Sequence, residues 1–124
     1  MMSYVKFKTP DQLQNKLKST LNQIAETRDS KIRRGMNETT KSIERGTAKL
    51  VVMAEDVTPP EILFHVPMLC EEKGIPFGYI STKKDLGNAV RINVSSSAIA
   101  VVSEGSGNEG ILNGIVKDLE KFKK

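Results

Sequence analysis

The segment Arg33-Arg34-Gly35-Met36-Asn37-Glu38-Thr39-Thr40-Lys41 gathers three cations, an amide, a carboxylate and a glycine within nine residues. On a helical wheel starting at Asn37, Lys41 falls at about 40°, Arg45 at about 80° and Glu38 at about 100°. Met36 and Ile43 fall at about −100° and −120°, with Thr39 and Thr40 beside them. One arc of such a helix is therefore polar and the opposite arc apolar. The polar set suits unpaired purines. A carboxylate accepts from both the imino and amino groups of a guanine, on an edge free only outside Watson–Crick pairing. An amide donates to and accepts from a purine edge, and a lysine reaches guanine O6, N7 or a phosphate. Arg33, Arg34 and Gly35 precede the helix and place cations and a supple backbone at its N-terminus, where anions are favoured. The same residues have a plainer reading. Asn37 as an N-cap, Glu38 in a first turn and Lys41 as solvated surface charge are ordinary helix chemistry.

The elements that must hold this segment follow from periodicity. Thr9-Pro10-Asp11-Gln12 reads as a helix start with Thr9 as N-cap. Leu13, Leu17, Leu21 and Ile24 then predict a helix from about Pro10 to Thr27. A brief strand at Lys31-Ile32-Arg33 leads to the second helix, which starts near Met36 or Asn37 and stops at Gly46. Ala48–Ala54 is the apolar run of a buried strand. Pro59-Pro60-Glu61 opens a helix with Ile62, Leu63, Val66, Leu69 and Cys70 inward, kinked at Pro67 and ended by Gly74. A strand follows at Pro76–Ser81, a short helix at Thr82–Ala89, a loop at Val90–Ser97 and a third buried strand at Ala98–Ser103. A last helix begins at Asn108 and turns Ile111, Leu112, Ile115, Val116, Leu119 and Phe122 inward. Alternating strands and helices predict one domain over residues 1–124, a three-layer α/β/α sandwich around a small mixed sheet.

Composition narrows the function classes. The 124 residues carry a net charge of +4, and Lys31–Arg45 alone holds five basic against two acidic residues. This excess favours an anionic partner such as nucleic acid. Cys70 is the single cysteine and His65 the single histidine. An internal disulfide framework and a zinc site of the usual Cys/His type are thereby excluded, and Cys70 reads as a small buried hydrophobe. No apolar run reaches membrane-spanning length and no signal-peptide core is evident, so a cytoplasmic protein is expected. No nucleophile, acid–base pair or cofactor motif stands out. Asp56 lacks a second catalytic group nearby. Glu104-Gly105-Ser106-Gly107 lacks the Gly-Lys-Ser/Thr of a phosphate loop and reads as a turn into the last helix.

Arg33–Lys41, continued by Ser42-Ile43-Glu44-Arg45-Gly46, resembles the motif of the kink-turn-binding L7Ae family of archaeal large-subunit ribosomal proteins. The likeness extends in order through Leu50–Val57, Pro67–Pro76 and Lys83-Lys84-Asp85-Leu86-Gly87, over nearly the whole chain. It implies the same α/β/α sandwich and a non-catalytic RNA-binding role without cofactor or metal. Asn37, Glu38 and Lys41 would contact the sheared G·A pairs of a kink-turn, Arg34 and Gly35 its backbone, and Arg33, Arg45 and Lys83 would add cationic contacts. Asp56 would give structural support near the site. The family closes a loop over a flipped-out nucleotide; here that loop is Ala89–Ser95, with Val90, Arg91 and Ile92 as its contacts and Ile92 at the place of an aliphatic wedge. Arg91 stands where a Gly is usual, Val94 where an Arg is usual and Ser95 where a Pro is usual, which moves a positive charge by three residues and bears on RNA preference. The partners implied are ribosomal RNA, the guide RNAs of box C/D and H/ACA particles, ribonuclease P RNA acting in tRNA processing, and other subunits of those ribonucleoproteins. The free protein is expected to be monomeric. A protein–protein interaction module and a subunit of an RNA-modifying enzyme are the alternatives.

Overall fold

The computed structural model describes residues 9–123, without the side chains of residues 60, 62, 122 and 123. Its elements follow in the order α1 (Asp11–Glu26), β1 (Lys31–Arg34), α2 (Met36–Glu44), β2 (Leu50–Ala54), a 3-10 turn (Pro60–Leu63), α3 (His65–Lys73), β3 (Phe77–Ile80), α4 (Lys83–Ala89), β4 (Ala98–Ser103) and α5 (Glu109–Lys123). The four strands form one sheet in the order β1-β4-β2-β3. β2 and β3 run parallel, and β4 is antiparallel to both β2 and β1, so the sheet is mixed. Helices α1 and α5 pack on each other and on β3, while α2 packs on β4, β1 and α3, which makes the three layers.

The periodic apolar residues meet where their spacing requires. Leu17, Leu21 and Ile24 are fully buried and Leu13 nearly so, the stripe that holds α1 against the sheet. Leu112, Ile115 and Leu119 do the same for α5, with Ile111 and Val116 at its flanks. All of β2 and β3 is buried, as expected of strands covered on both faces. Cys70 is buried and forms no disulfide. The side chains of Ile62 and Phe122, also expected inward, lie outside the described residues.

Three local expectations are corrected. Thr9 does not cap α1: Pro10 holds that position, and no side chain bonds the helix end. Thr9 lies buried instead, its carbonyl accepting from Gln14 Nε2 at 3.0 Å. Gln14 Oε1 in turn accepts from the Ser81 amide and hydroxyl, so one buried amide ties the start of α1 to the end of β3. The stretch opened by Pro59 is not one helix kinked at Pro67. The break falls at Phe64, between the 3-10 turn and α3, and Pro67 sits in the first turn of α3. A missing N–H costs nothing there, because first-turn amides have no partner within the helix. The cap of α2 is Gly35, so Asn37 is a helical residue and not an N-cap. The glycine is needed at that point, since the chain turns from β1 into α2 through φ +96°.

The Glu104–Gly107 stretch is the expected turn. Ser106 donates from its amide and its hydroxyl to Asp29, fastening the β4–α5 turn to the α1–β1 turn. The Ser106 hydroxyl, then its amide, hold the Asp29 carboxyl below its usual range.

Candidate nucleic-acid interface

The segment singled out by its chemistry lies at one end of the sheet, where β1 ends, α2 begins, β4 starts and β2 and β3 finish. Gly35 donates to Ala98 O at 2.8 Å, extending the β1–β4 ladder into the first residue before α2. The start of α2 is thereby fixed relative to the sheet. Thr39 and Ser42 are buried with Ile43, and Met36 packs against the core, so the apolar arc of the wheel faces inward. Thr40 adds a side-chain bond, its Oγ1 lying 3.0 Å from His65 Nε2 on α3. Asn37, Glu38, Lys41 and Arg45 are all exposed on the other arc.

Few of these exposed groups are committed elsewhere. Glu38 and Lys41 approach to 3.9 Å, with about half of each side chain in solvent. A pair so exposed contributes roughly 0–1 kcal/mol and yields readily to a better partner. The side chains of Arg33, Asn37, Arg45 and Lys83 make no hydrogen bond or ion pair to any described residue. The face thus presents an acceptor pair, an amide and several cations without internal competition.

Arg34 differs. Its guanidinium donates to Val90 O at 2.9 Å and to Ile32 O at 3.1 Å, so it links β1 to the loop after α4. That loop is tied down at further points. Ile92 N donates to Gly87 O at 3.1 Å, and Ser96 N to Lys83 O at 3.0 Å. Asp56 Oδ1 accepts from the Lys83 amide at 2.8 Å, which anchors the first residue of α4 to the end of β2 and gives Asp56 a structural job beside the interface. Thr82 caps the same helix by accepting from Asp85 N at 3.0 Å.

The three loop residues expected at the site are placed differently from one another. Val90 is fully buried, so its outward contribution is limited to backbone. Ile92 is half-buried and packs on the core, whereas Val94 stands 68% exposed. Arg91 turns its guanidinium to α1, 3.1 Å from Glu26. Two of the loop's clamp points, Arg34 on Val90 and Gly87 beneath Val94, gave no sign in the sequence, because the first joins distant positions and the second concerns space rather than chemistry; the support by Asp56 is the one the family resemblance implies. Replacing Arg34 with Ala is expected to speed amide exchange selectively over residues 90–93, with exchange in β2 unchanged. Hydrogen–deuterium exchange followed residue by residue checks this.

Among the described residues no group of His, Cys, Asp and Glu could hold a metal ion, and no helix is long and apolar enough to cross a membrane.

Comparison with known proteins adds three findings. The model of the ribosomal protein L7Ae/L30e/S12e/Gadd45 family matches residues 15–109. Over 120 residues, 97% of this chain and 91% of the relative, the sequence is 42% identical to the large ribosomal subunit protein eL8 of Nitrosopumilus maritimus (strain SCM1). The fold is similar to that of the Giardia lamblia 15.5kD RNA binding protein, with a TM-score of 0.87, 29% identity and 98% of each chain covered.

Proposed function

Because this chain belongs to the ribosomal protein L7Ae/L30e/S12e/Gadd45 family, we propose that it is an RNA-binding protein that stabilises sharply bent kink-turn RNA. The observation that carries this reading is the solvent-facing arc of α2. Asn37, Glu38 and Lys41 share one helix face, free of strong internal partners, next to a loop fastened on several sides.

Glu38 would accept from both N–H groups on the Watson–Crick edge of a guanine in a sheared G·A pair. Asn37 would pair with a purine edge, and Lys41 with guanine O6 or N7. Gly35 lets the RNA backbone approach the start of α2, and Arg33, Arg34, Arg45 and Lys83 supply charge along its phosphates. Arg34 does so from a guanidinium that also holds the loop, so its role is shared between RNA and protein. The backbone at Val90–Ile92 closes the site, with Ile92 supporting it from below and Arg91 anchored on α1.

No chemistry on the RNA is needed. A bent conformer present at about one part in a hundred becomes dominant with about 5.5 kcal/mol of differential binding. Two or three purine contacts at about 1–3 kcal/mol each supply that amount. The protein then acts by selecting a conformer and holding it for other subunits to assemble upon. The likeness to a large-subunit protein points to ribosomal RNA in the cytoplasm as one target. Box C/D and H/ACA guide particles and ribonuclease P are further targets that would present the same bent element.

A kink-turn RNA labelled with a fluorophore pair on its two arms tests the mechanism. In buffer without divalent ions, stoichiometric protein is expected to raise energy transfer to a high plateau. Binding without any rise would mean that the protein does not bend or select bent RNA.

A further inference from the structure

The end of the sheet away from the α2 face, where β2 and β3 begin and β4 ends, holds a groove of about 400 Å³. Ile75, Pro76, Leu112 and Val116 form its apolar wall, and Glu104 and Asn113 bring polar atoms to it. Ile75 and Leu112 are nearly buried, whereas Pro76 and Val116 are half-buried, so the wall is partly open to solvent. The side-chain amide of Asn113 is exposed and makes no hydrogen bond to any described residue.

The polar groups on offer are mainly acceptors. Helix α3 ends beside the groove at Gly74, which caps it through φ +70° and also lines the groove. The Gly74 and Ile75 amides turn back onto Glu71 O and Cys70 O. Pro76 follows and has no N–H, so Glu72 O accepts no hydrogen bond from any described residue. The negative end of the helix dipole therefore faces this end of the sheet. Among the described lining residues Lys49 is the one cation, and its Nζ lies 2.7 Å from Glu104 Oε1. That bond holds the Glu104 carboxyl below its usual range, so it is charged at neutral pH. A carboxylate and a helix C-terminus repel phosphate. They suit a cation, and the apolar wall beside them suits a hydrocarbon stem. An arginine side chain carries both, with a fork of N–H donors at its tip.

We propose that this groove docks an extended basic segment of another protein. One arginine of that segment lays its stem on Ile75, Leu112 and Val116 and sets its guanidinium against Glu104 and the end of α3. Asn113 bonds the segment's backbone. The groove and the α2 face lie at opposite ends of the sheet, so both can be occupied at once. The proposal stands on the groove alone and does not depend on the RNA-binding reading.

The test is a titration of the full chain with capped hexapeptides of alternating arginine and leucine or of alternating glutamate and leucine, and separately with spermidine. It follows the NMR signals of the Asn113 side-chain amide and of the Leu112 and Val116 methyl groups. Saturable shifts are expected from the arginine peptide and none from the glutamate peptide. Glu104→Gln should raise the dissociation constant of the arginine peptide about tenfold, the loss of one charge-assisted contact. Lys49→Ala, at a half-exposed side chain, should lower it severalfold by freeing Glu104 for the guest. A merely structural ion pair would move both variants in the same direction. Shifts at the Asn37 side-chain amide without shifts at Asn113 would place the contact on α2 and overturn the proposal. Equal shifts from the glutamate peptide would remove the role of charge, and equal shifts from spermidine would show a simple cation site; either overturns it. No shift at Asn113 from any of the three would do the same. Kink-turn affinity should be unchanged in Glu104→Gln, and a failure of the parent protein to bind kink-turn RNA would tell only against the function proposed above.

Discussion

Glu38→Ala is expected to weaken binding of a kink-turn RNA by about 5- to 150-fold, the range set by losing a bidentate base contact of about 1–3 kcal/mol. The fold should barely respond. Glu38 is exposed, its one ionic neighbour among the described residues is Lys41 at 3.9 Å, and it sits in the first turn of α2. Losing a weak surface pair and a favourable charge near the helix N-terminus costs at most about 1 kcal/mol. Circular dichroism and urea denaturation separate the two effects from the RNA affinity. Lys41→Ala should also weaken binding, and in addition lower the salt dependence by about 0.7–0.9 if the lysine touches a phosphate. Unchanged affinity in a folded Glu38→Ala protein would return the segment to ordinary helix chemistry.

Gly87→Ala is expected to destabilise the protein and loosen its RNA-facing loop together. A Cβ at Gly87 would stand 2.1 Å from Val94 O and 3.1 Å from Val94 C, and both are backbone atoms that no rotamer change can move. The loop must shift, at the usual cost of overfilling a packed site, about 1–3 kcal/mol, less the helix-propensity gain of about 0.5–1 kcal/mol. Gly114 provides the control. It lies within α5 with no atom within 4 Å of an added Cβ. Gly114→Ala should therefore stabilise by about 0.5–1 kcal/mol and leave RNA affinity alone. Urea midpoints of the two variants should move in opposite directions, and RNA affinity should fall for Gly87→Ala only.

Much of this architecture was legible in the chain because local pattern and tertiary outcome agree. The leucine stripe of α1 admits one buried face, the unbroken apolar runs of β2 and β4 suit strands covered on both faces, and the sheet uses them so. The polar and apolar arcs of α2 were likewise settled by spacing alone. What failed were readings in which one residue type serves two ends. Thr9-Pro10 carries a good capping residue, yet Pro10 takes the cap and Thr9 is drawn into the interior. Pro67 breaks a helix in mid-course but is harmless in a first turn, and only the break at Phe64 shows which applies. The site divides in the same way. Helical spacing placed Asn37, Glu38 and Lys41 together on one exposed face. The fastening of the loop by Arg34, 56 positions from Val90, could not be read from spacing. Nor could the turning of Arg91 toward Glu26, 65 positions away.

The central claim is that α2 reads unpaired purine edges in bent RNA, and one comparison tests it most directly. Affinity is measured at fixed salt for a kink-turn RNA and for the same RNA with its sheared G·A pairs converted to Watson–Crick pairs. Hiding both guanine edges removes two contacts of about 1–3 kcal/mol each, so the converted RNA should bind at least about thirtyfold more weakly. Equal affinity for the two RNAs would contradict the claim and leave only charge-driven binding.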